Sequence, residues 1–319
     1  MRSDAAAPGG GARTPAEVPA RGWREIVVRA WRESTADNVG MLAGGVAFFA
    51  FLALFPALIA LLTVYGLAVS PEQARAQVTE LAMILPAEAQ PLITDQLATI
   101  THGGSSGIAL VVALLAALWS ASSGTQNLMN AVNVAYDETE TRNVLRLRGT
   151  ALALTLGAVV FVVVTVALVA VTPILLDGLP LVGRLLAQVV RWALLLGLVT
   201  VALAFVYRFA PSRDAPRFRW VSPGAVVATV VWLLGSVAFS LYMDNFGNYN
   251  ATYGTLAGVV VLMLWLYLTA YIVLLGAEIN AEAELQTARD TTSGPAEPIG
   301  SRGAVKADAT PEEHPHRTT

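Results

Sequence analysis

The amino-acid sequence predicts an all-α fold, a polytopic membrane bundle of six transmembrane helices with amphipathic surface helices. Hydrophobic residues make up 55% of the 319 residues, charged residues only 13%, and the mean hydropathy is +0.59. A soluble domain usually carries about 25% charged residues. The apolar residues are clustered in long segments, and the cations collect between alternate segments. Lipid is therefore the expected solvent for much of the chain.

Six segments are long and apolar enough to cross a bilayer, which requires about 20 residues at a rise of about 1.5 Å each. They cover approximately residues 42–69, 107–134, 149–176, 192–207, 221–243 and 254–277. The second segment is polar in its last two turns, and the fourth is short unless it extends toward Leu185. The boundaries of these two segments are therefore the least sharply defined.

The distribution of cations predicts that both termini lie in the cytoplasm, because Lys and Arg near spans are retained on that side. All but three of the 20 Lys and Arg residues fall in the terminal regions or in the loops after the second and fourth segments. The exceptions are Arg75, Arg184 and Arg191. Five or seven spans would scramble this segregation, so the count of six and the N-in, C-in orientation support each other.

Composition and periodicity assign the remaining regions. The composition of residues 1–21 predicts a disordered N-terminal tail, and that of residues 285–319 predicts a disordered cytoplasmic tail. Residues 22–38 predict an amphipathic cytoplasmic helix, which lies either on the membrane surface or on the protein's own loops. Within the six-span domain of residues 39–284, residues 71–101 predict an extracytoplasmic cap of short amphipathic helices.

Several kinds of chemistry are missing from the sequence. It has no cysteine, and its three histidines are His102, His314 and His316, so we expect no metal site and no cofactor. The net charge of −3 and the lack of dense basic clusters argue against a nucleic-acid partner. Within these bounds, the six segments hold no Asp, Glu, Lys, Arg or His. This argues against a proton-coupled transporter or an ion pump, although it leaves a path for amphiphiles open.

Polar residues in the membrane region gather on two of the predicted helices. At 100° per residue, one face of the second segment carries Ser120, Ser123, Asn127 and Asn130. They predict either the lining of a polar groove or hydrogen bonds between helices.

On the sixth segment, Tyr267, Tyr271 and Glu278 lie within about 40° of one another. We assign them to the same groove. The alternative is a tyrosine belt at the membrane interface with a solvated glutamate.

Two further patterns concern helix shape and packing. Pro56 interrupts the first segment and predicts a kink, because the carbonyl four residues earlier loses its hydrogen bond. Small residues spaced four apart allow helices to approach closely. This spacing occurs in the pairs Gly40 with Gly44 and Gly254 with Gly258.

Six short stretches of the sequence form a recognisable combination. They are Ala47-Phe-Phe-Ala-Phe-Leu-Ala-Leu-Phe-Pro56, Leu85-Pro-Ala87, Asn130-Ala-Val-Asn-Val-Ala-Tyr136, Tyr253-Gly-Thr-Leu-Ala-Gly258, Trp265-Leu-Tyr267 and Leu274-Leu-Gly-Ala-Glu-Ile279. With these stretches the sequence resembles the YihY/BrkB family of inner-membrane proteins, a group formerly labelled ribonuclease BN. The similarity spans roughly residues 23–282.

The resemblance implies a six-span helical fold in the bacterial cytoplasmic membrane. Nuclease activity is disfavoured, because phosphodiester hydrolysis needs clustered carboxylates or histidines that the sequence does not offer, and we expect no enzyme activity. A transporter or flippase of a lipid or other amphiphile is the favoured function, and a non-catalytic envelope scaffold is the alternative. The expected partners are membrane lipids, and self-association into a homo-oligomer stays open.

Overall fold

The described part of the chain is all-α. The computed structural model describes residues 7–68, 107–176, 180–246 and 257–312. Seven α-helices lie in these ranges: α1 (Ala20–Ala36), α2 (Val39–Ala68), α3 (Gly107–Ala135), α4 (Val144–Leu176), α5 (Leu181–Phe209), α6 (Phe218–Phe246) and α7 (Ala257–Leu285). A short 3-10 helix at Pro15–Glu17 precedes α1, and an isolated bridge joins Pro216 to Thr292.

Four of these helices are long and apolar enough to cross a membrane, namely α4, α5, α6 and α7. The number rises to five if α1 and the first part of α2, which meet at an angle of 68°, count as one broken span. Only 6% of the apolar stretch of α4, and the same share of α5, is buried inside the protein. Their apolar side chains are thus available to lipid. The described residues confirm an apolar helical membrane bundle, with four to five candidate spans against the six that the sequence predicts.

Two helix boundaries differ from the sequence prediction. The fourth predicted segment, placed at residues 192–207, is a 29-residue helix that begins at Leu181 and includes Arg184 and Arg191. Helix α4 likewise begins at Val144, five residues before the predicted start. Hydropathy ends a segment at the first cation, but long arginine side chains reach the interface while the backbone stays helical.

The helices pack most closely at one end of the bundle. Helix α2 packs on α3, and α7 lies against α1, α2 and α6. The main core contains Met129 of α3, Tyr207 of α5 and Leu274 of α7, all fully buried. Helix α1 belongs to a second core in which Ile26 and Ala30 pack against the end of α7. The far halves of the helices instead expose apolar side chains such as Val160 and Leu186.

The two terminal segments contact each other where the structure describes them, at residues 7–18 and 286–312. The Ala288 amide donates to the Gly10 carbonyl at 2.9 Å, and the Gln286 side chain donates to the Pro8 carbonyl at 2.9 Å. Ala12 and Val18 are buried in the second core beside α1 and the end of α7. The predicted disorder of the full tails stays a prediction.

The closest helix approach is not at the predicted glycine pairs. A Cβ on Gly224 of α6 would overlap the Gly276 carbonyl of α7, and a Cβ on Gly276 would overlap the Tyr207 hydroxyl. At Gly40 a Cβ would lie 3.3 Å from the Tyr267 hydroxyl. At Gly44 and Gly258 it would meet no described atom within 4 Å, and the packing role of the two glycine pairs stays a prediction.

Three predictions fall partly or wholly outside the described residues. Gly254 and the extracytoplasmic cap at residues 71–101 lie outside them. Pro56 lies within α2, which is helical from Val39 to Ala68, and the predicted kink there stays a prediction.

Candidate functional site

The last turns of α7 carry a series of polar side chains that are all buried. Their exposed fractions are 1% or less. The series comprises Glu278, Asn280, Glu282, Glu284 and Gln286. Residues two apart point about 200° away from each other on a helix, so a helix end that buries all five must be enclosed on every side. We call these residues and their partners the α7 cluster.

Asn280 joins α7 to α6. Its side-chain oxygen accepts from the Gly224 amide at 2.7 Å, and its side-chain nitrogen donates to the Val221 carbonyl at 3.0 Å. The side chain fits only because position 224 has no Cβ, which would collide with it.

Glu282 is the centre of an ion-pair chain. Arg29 of α1 donates to one of its oxygens at 2.6 Å, and Lys306 of the C-terminal segment donates to the other at 2.9 Å. Lys306 also pairs with Asp137 after α3, at 2.9 Å. Burial alone would lower the pKa of Lys306, but the two carboxylates raise it above its usual value. The ammonium group therefore stays charged and joins three parts of the chain, and Arg29 adds α1 through Glu282.

Glu284 forms a second buried pair. Arg213, from the loop after α5, donates to it at 2.6 Å, and both side chains are fully buried. Thr291 donates to the same oxygen at 2.7 Å. Although burial opposes the charge on Arg213, Glu284 raises the pKa of the guanidinium above its usual value.

The loops after α3 and α5 are joined beside these pairs. Asn133 accepts from the Ser212 amide at 2.7 Å and donates to Glu140 at 3.0 Å. Arg142 pairs with Glu140 at 2.6 Å and donates to the Ala210 carbonyl at 2.8 Å. Hydrogen bonds from Arg142 lower the pKa of Glu140 to about 2.

Glu278 differs from every other member of the α7 cluster. Its side chain is fully buried, and neither carboxylate oxygen has a hydrogen-bond partner among the described residues. More than about 90% of buried polar groups in proteins are paired. The packing of the closed bundle therefore gives no reason for a carboxyl group at this position.

The structure does not bring the seven residues of the predicted groove together. On α3, Ser120 and Asn130 are exposed, while the Asn127 side chain donates to the Ser123 carbonyl at 2.9 Å. The Ser123 hydroxyl accepts from Arg148 at 3.3 Å.

On α7, the rings of Tyr267 and Tyr271 lie 6.3 Å apart, and Tyr267 is 39% exposed. Glu278 lies two turns farther along the helix in the buried cluster. Among these residues, the two tyrosine rings contact each other, and Asn127 is hydrogen-bonded to Ser123.

Sequence reasoning missed the partners of the α7 cluster. Two features of the sequence point to buried partners. Lys306 is the only lysine in the sequence, and it stands in a segment whose composition predicts disorder. After residue 277, polar residues alternate with apolar ones, mostly alanine. Among the described residues, no group of three or more His, Asp or Glu side chains could hold a metal ion.

Comparison with known proteins places this chain among bacterial membrane proteins. It is 34% identical over 256 residues to YfkH of Bacillus subtilis, a protein named as ribonuclease-like, and the match covers 74% of this chain and 86% of YfkH. It is 28% identical over 260 residues to the UPF0761 membrane protein azo3165 of Azoarcus, covering 77% of this chain and 60% of that protein. No solved protein structure matches the chain.

A shorter match, 38% identical over 84 residues, is to the UPF0761 membrane protein IL2447 of Idiomarina loihiensis, and covers 26% of this chain and 29% of the relative. The family model described as Virulence factor BrkB matches residues 30–299, which include the helices from α2 to α7 and the five buried polar residues from Glu278 to Gln286 but neither Arg29 nor Lys306. The chain therefore belongs to the Virulence factor BrkB family of membrane proteins.

Proposed function

We propose that this protein translocates a lipid or another amphiphile across the bacterial cytoplasmic membrane. The observation that carries the proposal is Glu278, a fully buried carboxyl group without a hydrogen-bond partner among the described residues. An unpaired buried polar group costs about 1–3 kcal/mol, and proteins keep such unsatisfied groups mainly at functional sites. In the proposed cycle, the polar head of the cargo hydrogen-bonds to Glu278 when the helices around it part.

We also propose that the helices α2 to α7 are six membrane spans with both termini in the cytoplasm. Helices α2 and α3 contain no charged residue over 30 and 29 residues, which is long enough to span. The loops after α3 and α5 and both terminal segments meet at one end of the bundle, as the pairs Lys306 with Asp137 and Ala288 with Gly10 illustrate. These contacts support a shared compartment, and the arginine content of the same segments favours the cytoplasm.

A non-catalytic scaffold for envelope proteins is the second candidate. It is favoured by the contacts that join the segments 7–18 and 286–312 and by the ion pairs of Glu282 and Glu284 at the end of the bundle. A scaffold requires buried polar groups to be satisfied internally, and Glu278 fits this function poorly because neither of its oxygens has a partner among the described residues. We propose no enzyme activity for either candidate.

The test is reconstitution of the full chain into liposomes that contain fluorescent phospholipids of several headgroup classes. We expect the wild-type protein to move at least one class faster than empty vesicles, and Glu278→Gln to slow it about fivefold, because a hydrogen bond between neutral groups is worth about 0.5–1.5 kcal/mol. Glu297→Gln is the matched control, since Glu297 is exposed at a distance from α7 in sequence. Lack of transport for every lipid class would instead favour the scaffold.

A further inference from the structure

A groove of about 500 Å³ runs between α4 and α5, away from the α7 cluster. Arg146 lies at one end of it, and Gly149 and Ala153 form its floor at the spacing of one helix face. Phe205 and Phe209 of α5 form the opposite wall. From Arg146 to Leu154 the groove follows α4 for about 12 Å, at about 1.5 Å per residue. It therefore leads from the helix end toward the middle of an apolar helix.

Arg146 differs from the two nearest arginines in sequence, Arg142 and Arg148. Arg142 is paired with Glu140, and Arg148 donates to Ser123 and lies 5.0 Å from the centre of the Trp119 ring. The guanidinium of Arg146, by contrast, makes no hydrogen bond or ion pair with the described residues, and no acidic residue lines the groove. The groove is thus apolar along its length with one uncompensated positive charge at its entrance.

We propose that this groove binds an anionic glycerophospholipid, with the headgroup phosphate on Arg146 and one acyl chain along Gly149 and Ala153. Guanidinium groups bind phosphate through two parallel hydrogen bonds, and basic pockets between membrane helices bind anionic headgroups. Phe205 and Phe209 contact the acyl chain from the α5 side of the groove. Both helices that line the groove, α4 and α5, have only 6% of their apolar stretch buried inside the protein, so the groove is open to the surrounding lipid. The lipid reaches the site sideways from the bilayer. This binding site goes beyond the proposed function and does not depend on translocation.

The groove can be closed without damage to the protein. A Cβ at Gly149 would meet no atom within 4 Å, so Gly149→Leu fills the groove while leaving Arg146 in place. Ala153→Phe fills it one turn deeper and serves as an independent second variant. Arg146→Gln removes the charge but keeps the length and polarity of the side chain. Arg289→Gln is the control, because Arg289 is an exposed arginine in the C-terminal segment.

The experiment is native mass spectrometry of the purified full chain in detergent, titrated with phosphatidylglycerol or with phosphatidylcholine of the same acyl chains. We expect phosphatidylglycerol to bind about fivefold more tightly, the effect of one arginine near an anionic headgroup. Arg146→Gln should remove this preference, Gly149→Leu and Ala153→Phe should weaken both lipids, and Arg289→Gln should change neither. Inorganic phosphate at the same concentration should not displace the lipid.

Three results would overturn the proposal. The first is a preference for phosphatidylglycerol that persists in Arg146→Gln. The second is binding of both lipids by Gly149→Leu and Ala153→Phe as tightly as by the wild type. The third is displacement of the lipid by inorganic phosphate. A thermal unfolding curve for each variant shows that the compared proteins are folded. Since the readout is binding, failure of transport in liposomes leaves this result unaffected.

Discussion

The Nζ of Lys306 lies 2.9 Å from an oxygen of Glu282, although 24 residues separate them and both side chains are almost completely buried. This single contact fixes the C-terminal segment to the end of α7. The same ammonium group reaches Asp137, so it also holds the loop after α3. Since Arg29 pairs with Glu282 as well, α1 is part of the same arrangement.

Replacing Lys306 by Met should destabilise the protein by about 3 kcal/mol. Removal of one partner from a buried ion pair leaves an uncompensated charge, which costs about 3–5 kcal/mol, and the lower value applies because Glu282 keeps Arg29. Thermal unfolding in detergent measures the change. Arg289→Met, at an exposed position, should leave the midpoint within experimental error, and an equal loss in both variants would contradict the role given to Lys306.

Replacing Gly276 by Ala should destabilise the bundle by about 1–3 kcal/mol, the usual cost of overpacking. The added methyl group overlaps the Tyr207 hydroxyl, which donates to the Val273 carbonyl at 2.8 Å, and it presses on Ala228 of α6. Gly44→Ala is the matched control, because a Cβ there meets no described atom. Its unfolding midpoint should stay the same or rise. If Gly276→Ala were as stable as Gly44→Ala, α6 and α7 could not approach as closely as described.

Glu140 should make the stability of the protein fall in acid. Its pKa is lowered to about 2, whereas a glutamate in an unfolded chain has a pKa of about 4.3. A depressed pKa in the folded state adds stability that is fully present above the unfolded value and is lost as the pH falls toward about 2.

Thermal unfolding between pH 6 and pH 2.5 tests this expectation. Glu140→Gln should weaken the dependence in that window, and Glu297→Gln, which changes an exposed carboxyl group, should not. Parallel curves for Glu140→Gln and the wild type would show that the pair with Arg142 does not hold in solution.

Replacing Glu278 by Met should stabilise the protein while it abolishes transport. A buried carboxyl group without a partner costs about 1–3 kcal/mol, and an apolar side chain of similar length removes that cost. Such an exchange of activity for stability is common at functional sites. The unfolding midpoint and the liposome assay are measured on the same preparation. A large loss of stability in Glu278→Met would mean that the carboxyl group has a structural partner.

Much of the helical architecture follows from the sequence because its signal is strong and local. Helix α6 runs from Phe218 to Phe246, around the predicted segment 221–243, since one long apolar stretch is enough to predict it. The start of α5 at Leu181 was missed because Arg184 and Arg191 interrupt the hydropathy. Arginine side chains tolerate that position by extending toward water, which hydropathy values do not represent.

The α7 cluster could be predicted only in part. Glu278 was selected from its place on the helix face, but its isolation depends on side chains from other helices that helical periodicity does not reveal. Lys306 and Arg213 pair with glutamates across 24 and 71 residues, and nothing local in the sequence specifies such partners. Ser120 and Asn130 were assigned to a groove because polar residues seldom face lipid, yet both are exposed in the structure.

The hydrogen bond from Gln286 to the Pro8 carbonyl joins residues 278 positions apart. Contacts this distant in sequence are slow to form, because the entropy of closing the long loop must be overcome first. In the proposed topology, a chain that failed to insert one helix would leave Pro8 and Gln286 on opposite faces of the bilayer. The bond therefore cannot close in a molecule that lacks one inserted helix.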